Sequence, residues 1–200
     1  MPLLQKLRNF HNHHDQTQHQ TPRVIIGLIT NSDNRTASIL TSLGVRVSPL
    51  HYGEERPEQS LGSEADFDID FTVLSYDVGA EKPDGRIFAA AEEMLGTVLR
   101  REEVAGSRPS ETSADAWSRV YVGDEFEKDV VGATGAGWKA VLVEREGDGK
   151  REGLEWLGGK QSAGADAGRE SSIFDVFART DAVGVGSLKE LAEWLPSSKN

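Results

Sequence analysis

The chain has 200 residues and a formal net charge of -11, from 22 Lys plus Arg against 33 Asp plus Glu, and no basic run that could track a phosphate backbone, so nucleic acid is not an expected partner. It has no cysteine, which removes disulfides, thiolate nucleophiles and cysteine-bound zinc together. Its longest strongly apolar stretch, VIIGLIT, is far too short for a membrane span, and MPLLQKLRNF is too short and too charged for a secretory signal.

Leu3, Leu4, Leu7 and Phe10 recur at helical spacing, so the chain is expected to open on an amphipathic helix. The polar stretch HNHHDQTQHQTPR follows. Its His11, His13, His14 and His19 have no carboxylate cage around them and read as a solvated connection rather than a metal site. RVIIGLITNSD is an uninterrupted apolar run ending in small polar residues, as a buried parallel strand would be. TASILTSLGV has helical spacing and a stop at Gly44. Residues 51–66 are charged, carry Gly and Pro, and read as a surface insertion. DFTVLSY is a short strand, and DGRIFAAAEEMLG is a helix with Phe88, Ala91 and Leu95 on one face. Residues 100–118 read as a second insertion, RVYVGD as a strand, EKDVVGATGAG as a small-residue helix and WKAVLVER as a strand. The Gly/Ala/Ser/Glu-rich segment 146–172 reads as a flexible loop. DAVGVGSLKELAEWL closes the chain as a strand, a Ser-initiated turn and a helix. This alternation predicts one α/β domain over residues 1–200, with a mostly parallel sheet flanked by helices. Ligands of such sheets bind outside the carboxyl ends of the strands.

Three strand ends carry suitable chemistry. Thr30 and Asn31 can offer a hydroxyl and an amide to an anion at the next helix N-terminus, or they can simply cap that helix. Lys82 stands just before Pro83, ahead of a proline-fixed helix start, which gives its ammonium a defined place to neutralise an anion. Asp124 stands at the tip of VYVG with Asp129 in the first turns of the following helix. Paired acids there suit Mg²⁺, although Asp129 can also be a helix N-terminal charge.

In order and spacing, LITNSDNR, DVGAEKPDGRIF and VYVGDEFEKDVVGATGAGWKAVLV resemble the second, third and fourth motifs of the haloacid dehalogenase (HAD) superfamily of hydrolases, over roughly residues 24–145. The resemblance implies a HAD-type Rossmann-like fold and Mg²⁺-dependent hydrolysis of a small phosphorylated molecule through an aspartyl-phosphate. It implies that Thr30 holds the transferring phosphate, that Lys82 neutralises it and the nucleophile, and that Asp124 and Asp129 hold Mg²⁺.

The nucleophile of that family is the first Asp of a DxDx[TV] motif, and Asp68-Ile69-Asp70-Phe71-Thr72 has those letters. GSEADF before it cannot bury as a central strand, and too few residues separate Asp68 from Lys82 for a helical crossover between parallel strands. The motif matches instead the ordinary strand that precedes the third motif. The expectation is therefore an incomplete fold that lacks the nucleophile and the substrate-selecting cap. Such a chain would be inactive alone, a non-catalytic remnant with a binding role, or one part of a split enzyme. Its expected setting is the cytoplasm or nucleus, and no specific protein partner is legible.

Overall fold

Every strand pairing among the described residues is parallel, in a computed structural model that describes residues 3–4, 6–7, 24–54, 67–104, 117–144, 154–158 and 172–195. Parallel neighbours need a crossover rather than a hairpin, and the helices between the strands supply it. Contacts divide the chain into two compact units, residues 25–118 and residues 1–24 with 119–200.

In the unit formed by residues 25–118, β1 (Gly27–Thr30) pairs with β2 (Phe71–Leu74). β2 is buried along its whole length, with Val73 fully enclosed. Residues 46–52 flank its other side: Ser48 N–H donates to Ile69 O, Thr72 N–H to Leu50 O and Tyr52 N–H to Thr72 O. β1 departs from the buried strand expected of VIIGLIT. Only Ile29 is buried, because β1 has a described strand on one side alone and part of its apolar surface is left uncovered. Gly27 and Phe71 are opposite each other, and a Cβ on Gly27 would collide with the Phe71 ring. The glycine is what allows that ring to lie across the ladder.

After β1 the chain enters α1 (Arg35–Ser42), which ends where Gly44 takes a φ of 83° that side-chain-bearing residues rarely adopt. After β2 come one helical turn, α2 (Ser75–Val78), and the long α3 (Gly85–Val104). α3 buries Ile87, Phe88, Ala91 and Met94 at helical spacing. Pro83 does not open this helix as expected. Asp84 does: its carboxylate accepts the Arg86 N–H at 2.9 Å, an N-cap bond that satisfies one of the helix's free donors.

In the second unit the sheet order is β3 (Val120–Gly123), β4 (Lys139–Val143), β6 (Ala182–Val185), β5 (Glu155–Leu157). The segment after β3 starts as a π-helical turn (Phe126–Val131) before α4 (Gly132–Gly135), where a uniform small-residue helix was expected. α5 (Ile173–Phe177) and α6 (Leu188–Trp194) follow, the latter capped by Ser187, whose hydroxyl accepts the Glu190 N–H. Val141, Val176, Val183 and Val185 form the enclosed centre. The opening residues dock here as the Leu spacing predicts. Leu3 and Leu7 pack on this core, and Lys6 donates to the carbonyls of Ala192 and Leu195 at the end of α6.

Two of the expected insertions are partly regular. α3 runs to Val104, into the 100–118 segment, and β5 lies inside 146–172. β5 is only three residues long and exists through its ladder with β6, which no local pattern reports. Trp156 packs over Gly184 there, and a Cβ on Gly184 would come within 2.7 Å of the indole. Residues 55–66, 105–116, 145–153 and 159–171, and the histidines of the opening connection, lie outside the described residues.

Candidate functional site

Thr30 is the last residue of β1, directly opposite Leu74 at the tip of β2, so both strands deliver their following loops to the same edge. Asn31 comes next, and its side-chain amide is committed. Its Oδ1 accepts the Lys82 N–H at 2.8 Å and its Nδ2 donates to the Lys82 carbonyl at 3.2 Å. A side-chain amide that satisfies both polar groups of one residue fixes that residue's backbone in two directions. The Lys82–Pro83 peptide that follows is cis. The loops are further tied by Ser75, whose hydroxyl donates to Ser32 O at 3.3 Å.

Helix capping does not account for Thr30 or Asn31. α1 begins at Arg35, and the carboxylate of Asp33 accepts the Arg35 N–H at 3.1 Å. Asn31, expected as an anion ligand, has its amide turned to Lys82, so it places the lysine, with one Nδ2 donor spent on the Lys82 carbonyl.

Asp68 and Asp70 have a different use. Asp70 exchanges two bonds with Ile26, its carboxylate accepting Ile26 N–H at 2.7 Å while its own N–H donates to Ile26 O at 2.7 Å. Asp68 does the same with Arg46, its carboxylate accepting Arg46 N–H at 2.8 Å and its N–H donating to Arg46 O at 2.7 Å. The two carboxylates are clamps that start the ladders on either side of β2. They sit at its amino end: Asp70 lies about 13 Å of strand rise before the tip at Leu74, and Asp68 lies further back.

In the second unit, Asp124 follows the last residue of β3 and Asp129 lies in the π-helical turn. Asp129 is 3% exposed, unusual for an acid, and burial of a charge requires compensating donors. Glu125 N–H donates to its Oδ2 at 2.9 Å, and the Tyr121 phenol also hydrogen-bonds its side chain. Gly123 makes the approach possible, since any Cβ there would overlap the Asp129 carboxylate. The Tyr121 hydroxyl is held well above the ordinary phenol range, first by burial, then by the charge of Asp129, its hydrogen bond to that acid, and the charges of Asp124 and Glu125. It therefore stays a donor. No residue-by-residue reading of the sequence singles out Tyr121, yet strand alternation carried the signal: Tyr121 and Gly123 share one face of β3.

Among the described residues no group of three or more His, Cys, Asp or Glu is arranged to hold a metal ion, and no helix is long and apolar enough to cross a membrane. Two carboxylates are nevertheless a donor set that fits Mg²⁺, which keeps most of its waters and takes few protein ligands.

A HAD-hydrolase-like family model matches residues 80–162. An uncharacterized hydrolase of Schizosaccharomyces pombe is 30% identical over 118 residues, which are 59% of this chain and 38% of that protein. A glyceraldehyde 3-phosphate phosphatase of Methanothermobacter thermautotrophicus is 40% identical over 78 residues, 39% of this chain and 27% of that protein. The chain thus spans less than half the length of these curated relatives. A HAD phosphatase from Thermococcus onnurineus resembles the structure with a TM-score of 0.46 at 20% identity, over 96% of this chain and 54% of that one.

Proposed function

The chain belongs to the HAD-like hydrolase superfamily, and from that premise we propose that its residues hold the phosphate and the Mg²⁺ used in hydrolysis of a small phosphomonoester. The class includes glyceraldehyde 3-phosphate, the compound named for one relative. The observation that carries this reading is the Asn31 clamp on Lys82, which gives a cation a fixed backbone at the strand edge that also bears Thr30.

In this reading the Thr30 hydroxyl and the Lys82 ammonium bind the phosphoryl oxygens, and Asn31 keeps Lys82 in place. Asp124 and Asp129 hold Mg²⁺. When bound, Mg²⁺ would supply a positive charge that neutralises developing negative charge. Hydrolysis by this route also needs a nucleophilic carboxylate that forms and then releases an aspartyl-phosphate. Asp68 and Asp70 do not serve, because each carboxylate closes a strand ladder at the other end of β2.

A second reading follows from that same pair of clamps: these 200 residues bind a phosphorylated molecule or a protein partner without turning anything over. Para-nitrophenyl phosphate with Mg²⁺ separates the two. The expected result is no turnover by the 200-residue chain, with inorganic phosphate still bound and its binding weakened in Lys82→Ala. A robust Mg²⁺-dependent rate that disappears in Asp124→Asn would show that a nucleophile is present after all. Phosphate binding that is absent, or indifferent to Lys82→Ala, would remove the ligand role.

A further inference from the structure

Asp129 is buried, alone in this among the described acids of its unit, and the groups around it are arranged to hold its carboxylate in one orientation. The Glu125 N–H fixes Oδ2 from the loop side. Gly123 leaves the gap in which the carboxylate lies, and filling that gap with a Cβ would push it out. Tyr121 lies two residues before Gly123 on the same strand face, and its hydroxyl reaches the same side chain. A backbone N–H and a phenol are rigid donors, the first fixed by the turn and the second by a ring with two side-chain torsions.

We propose that Tyr121 is a positioning residue for divalent-cation binding, its hydroxyl holding the Asp129 carboxylate in the orientation in which that acid, with Asp124, receives the ion. The inference rests on the Mg²⁺ reading above. It adds a residue that does not touch the ion and acts through a ligand. Partners of this kind, which orient a ligating group, typically change metal affinity by about 10- to 100-fold when removed. A purely structural role for the pair, locking the turn after β3, would lower stability and leave cation affinity alone.

The test is Mn²⁺ binding, as the probe for Mg²⁺, measured by electron paramagnetic resonance on the full chain and on Tyr121→Phe and Asp129→Asn, with circular dichroism and thermal midpoint recorded for each. The expected result is an affinity lower by about 10- to 100-fold in Tyr121→Phe at a preserved fold, and a larger loss in Asp129→Asn. Affinity within about twofold of wild type in Tyr121→Phe, with a clear loss in Asp129→Asn, overturns the role of Tyr121 and leaves the metal reading standing. A wild-type chain that binds no Mn²⁺ overturns both. Should Tyr121→Phe not fold, 3-fluorotyrosine at position 121 reads the same contact in an otherwise native chain. A fluorine resonance that moves as Mg²⁺ saturates supports the assignment, and one that does not move overturns it.

Discussion

Asn31 and Lys82 are joined by two hydrogen bonds of opposite sense, the Lys82 N–H to Asn31 Oδ1 and the Asn31 Nδ2 to the Lys82 carbonyl. The two bonds hold the Lys82 backbone from both its N–H and its carbonyl. Neutral hydrogen bonds contribute about 0.5 to 1.5 kcal/mol each, and leaving a partly buried partner unpaired costs about 1 to 3. Asn31→Ala is therefore expected to destabilise the chain by about 1 to 3 kcal/mol in urea unfolding, and to weaken phosphate binding by releasing the Lys82 backbone. Asn31→Asp keeps the acceptor for Lys82 N–H and should recover part of the stability. Unchanged phosphate affinity in a folded Asn31→Ala would separate the clamp from the ligand role.

Asp70 and Asp68 should behave as structural acids. Asp70→Ala leaves Ile26 N–H without its acceptor at the start of β1, with an expected loss of about 1 to 3 kcal/mol. Asp68→Asn should leave phosphate binding unchanged, because its carboxylate serves the Arg46 N–H at the far end of the strand. Selective loss of phosphate binding in Asp68→Asn, with stability intact, would return it to the candidate nucleophiles.

The contact between Gly184 and Trp156 joins β6 to the short edge strand β5. A Cβ at 184 meets indole atoms at 2.7 to 2.9 Å, and the ring sits against the sheet, so Gly184→Ala is expected to cost about 1 to 3 kcal/mol and to shift Trp156 fluorescence. Combined with Trp156→Ala the two changes should be strongly non-additive, since the clash vanishes with the ring. Additive effects in that double-mutant cycle would mean that strain lies elsewhere.

Asp84 supplies the acid-range prediction. Its carboxyl is pulled from 3.8 to about 2, first by the Arg86 guanidinium and then by the Arg86 N–H that it caps. A carboxylate whose folded value is depressed stabilises the fold above its unfolded value, and that contribution fades as pH falls from about 4 through about 2. Carbon-detected NMR titration of the Asp84 carboxyl should give a midpoint near 2 in wild type and a higher one in Arg86→Ala, still below the ordinary value because the backbone N–H at position 86 remains. The same midpoint in both proteins would remove Arg86 as the cause.

The sequence by itself determined the alternation of strands and helices, because apolar periodicity is local: GLIT, FTVL, VYVG and KAVLV became parallel strands, and the opening leucines a docked amphipathic face. It also argued against reading DIDFT as the nucleophile motif, since the short reach from Asp68 to Lys82 is a limit of chain geometry. Tertiary structure decided where each polar side chain spends its hydrogen bonds. Asn31 reads as a cap or an anion ligand until its partner is found 51 positions away, and Asp129 reads as a Mg²⁺ ligand or a helix charge with no sign that Gly123 lets it sink beside Tyr121. β5 likewise has no period of its own, only a ladder with β6. Hydrogen-bond choice and burial are settled by atoms distant in sequence, which a local pattern of residue types does not encode.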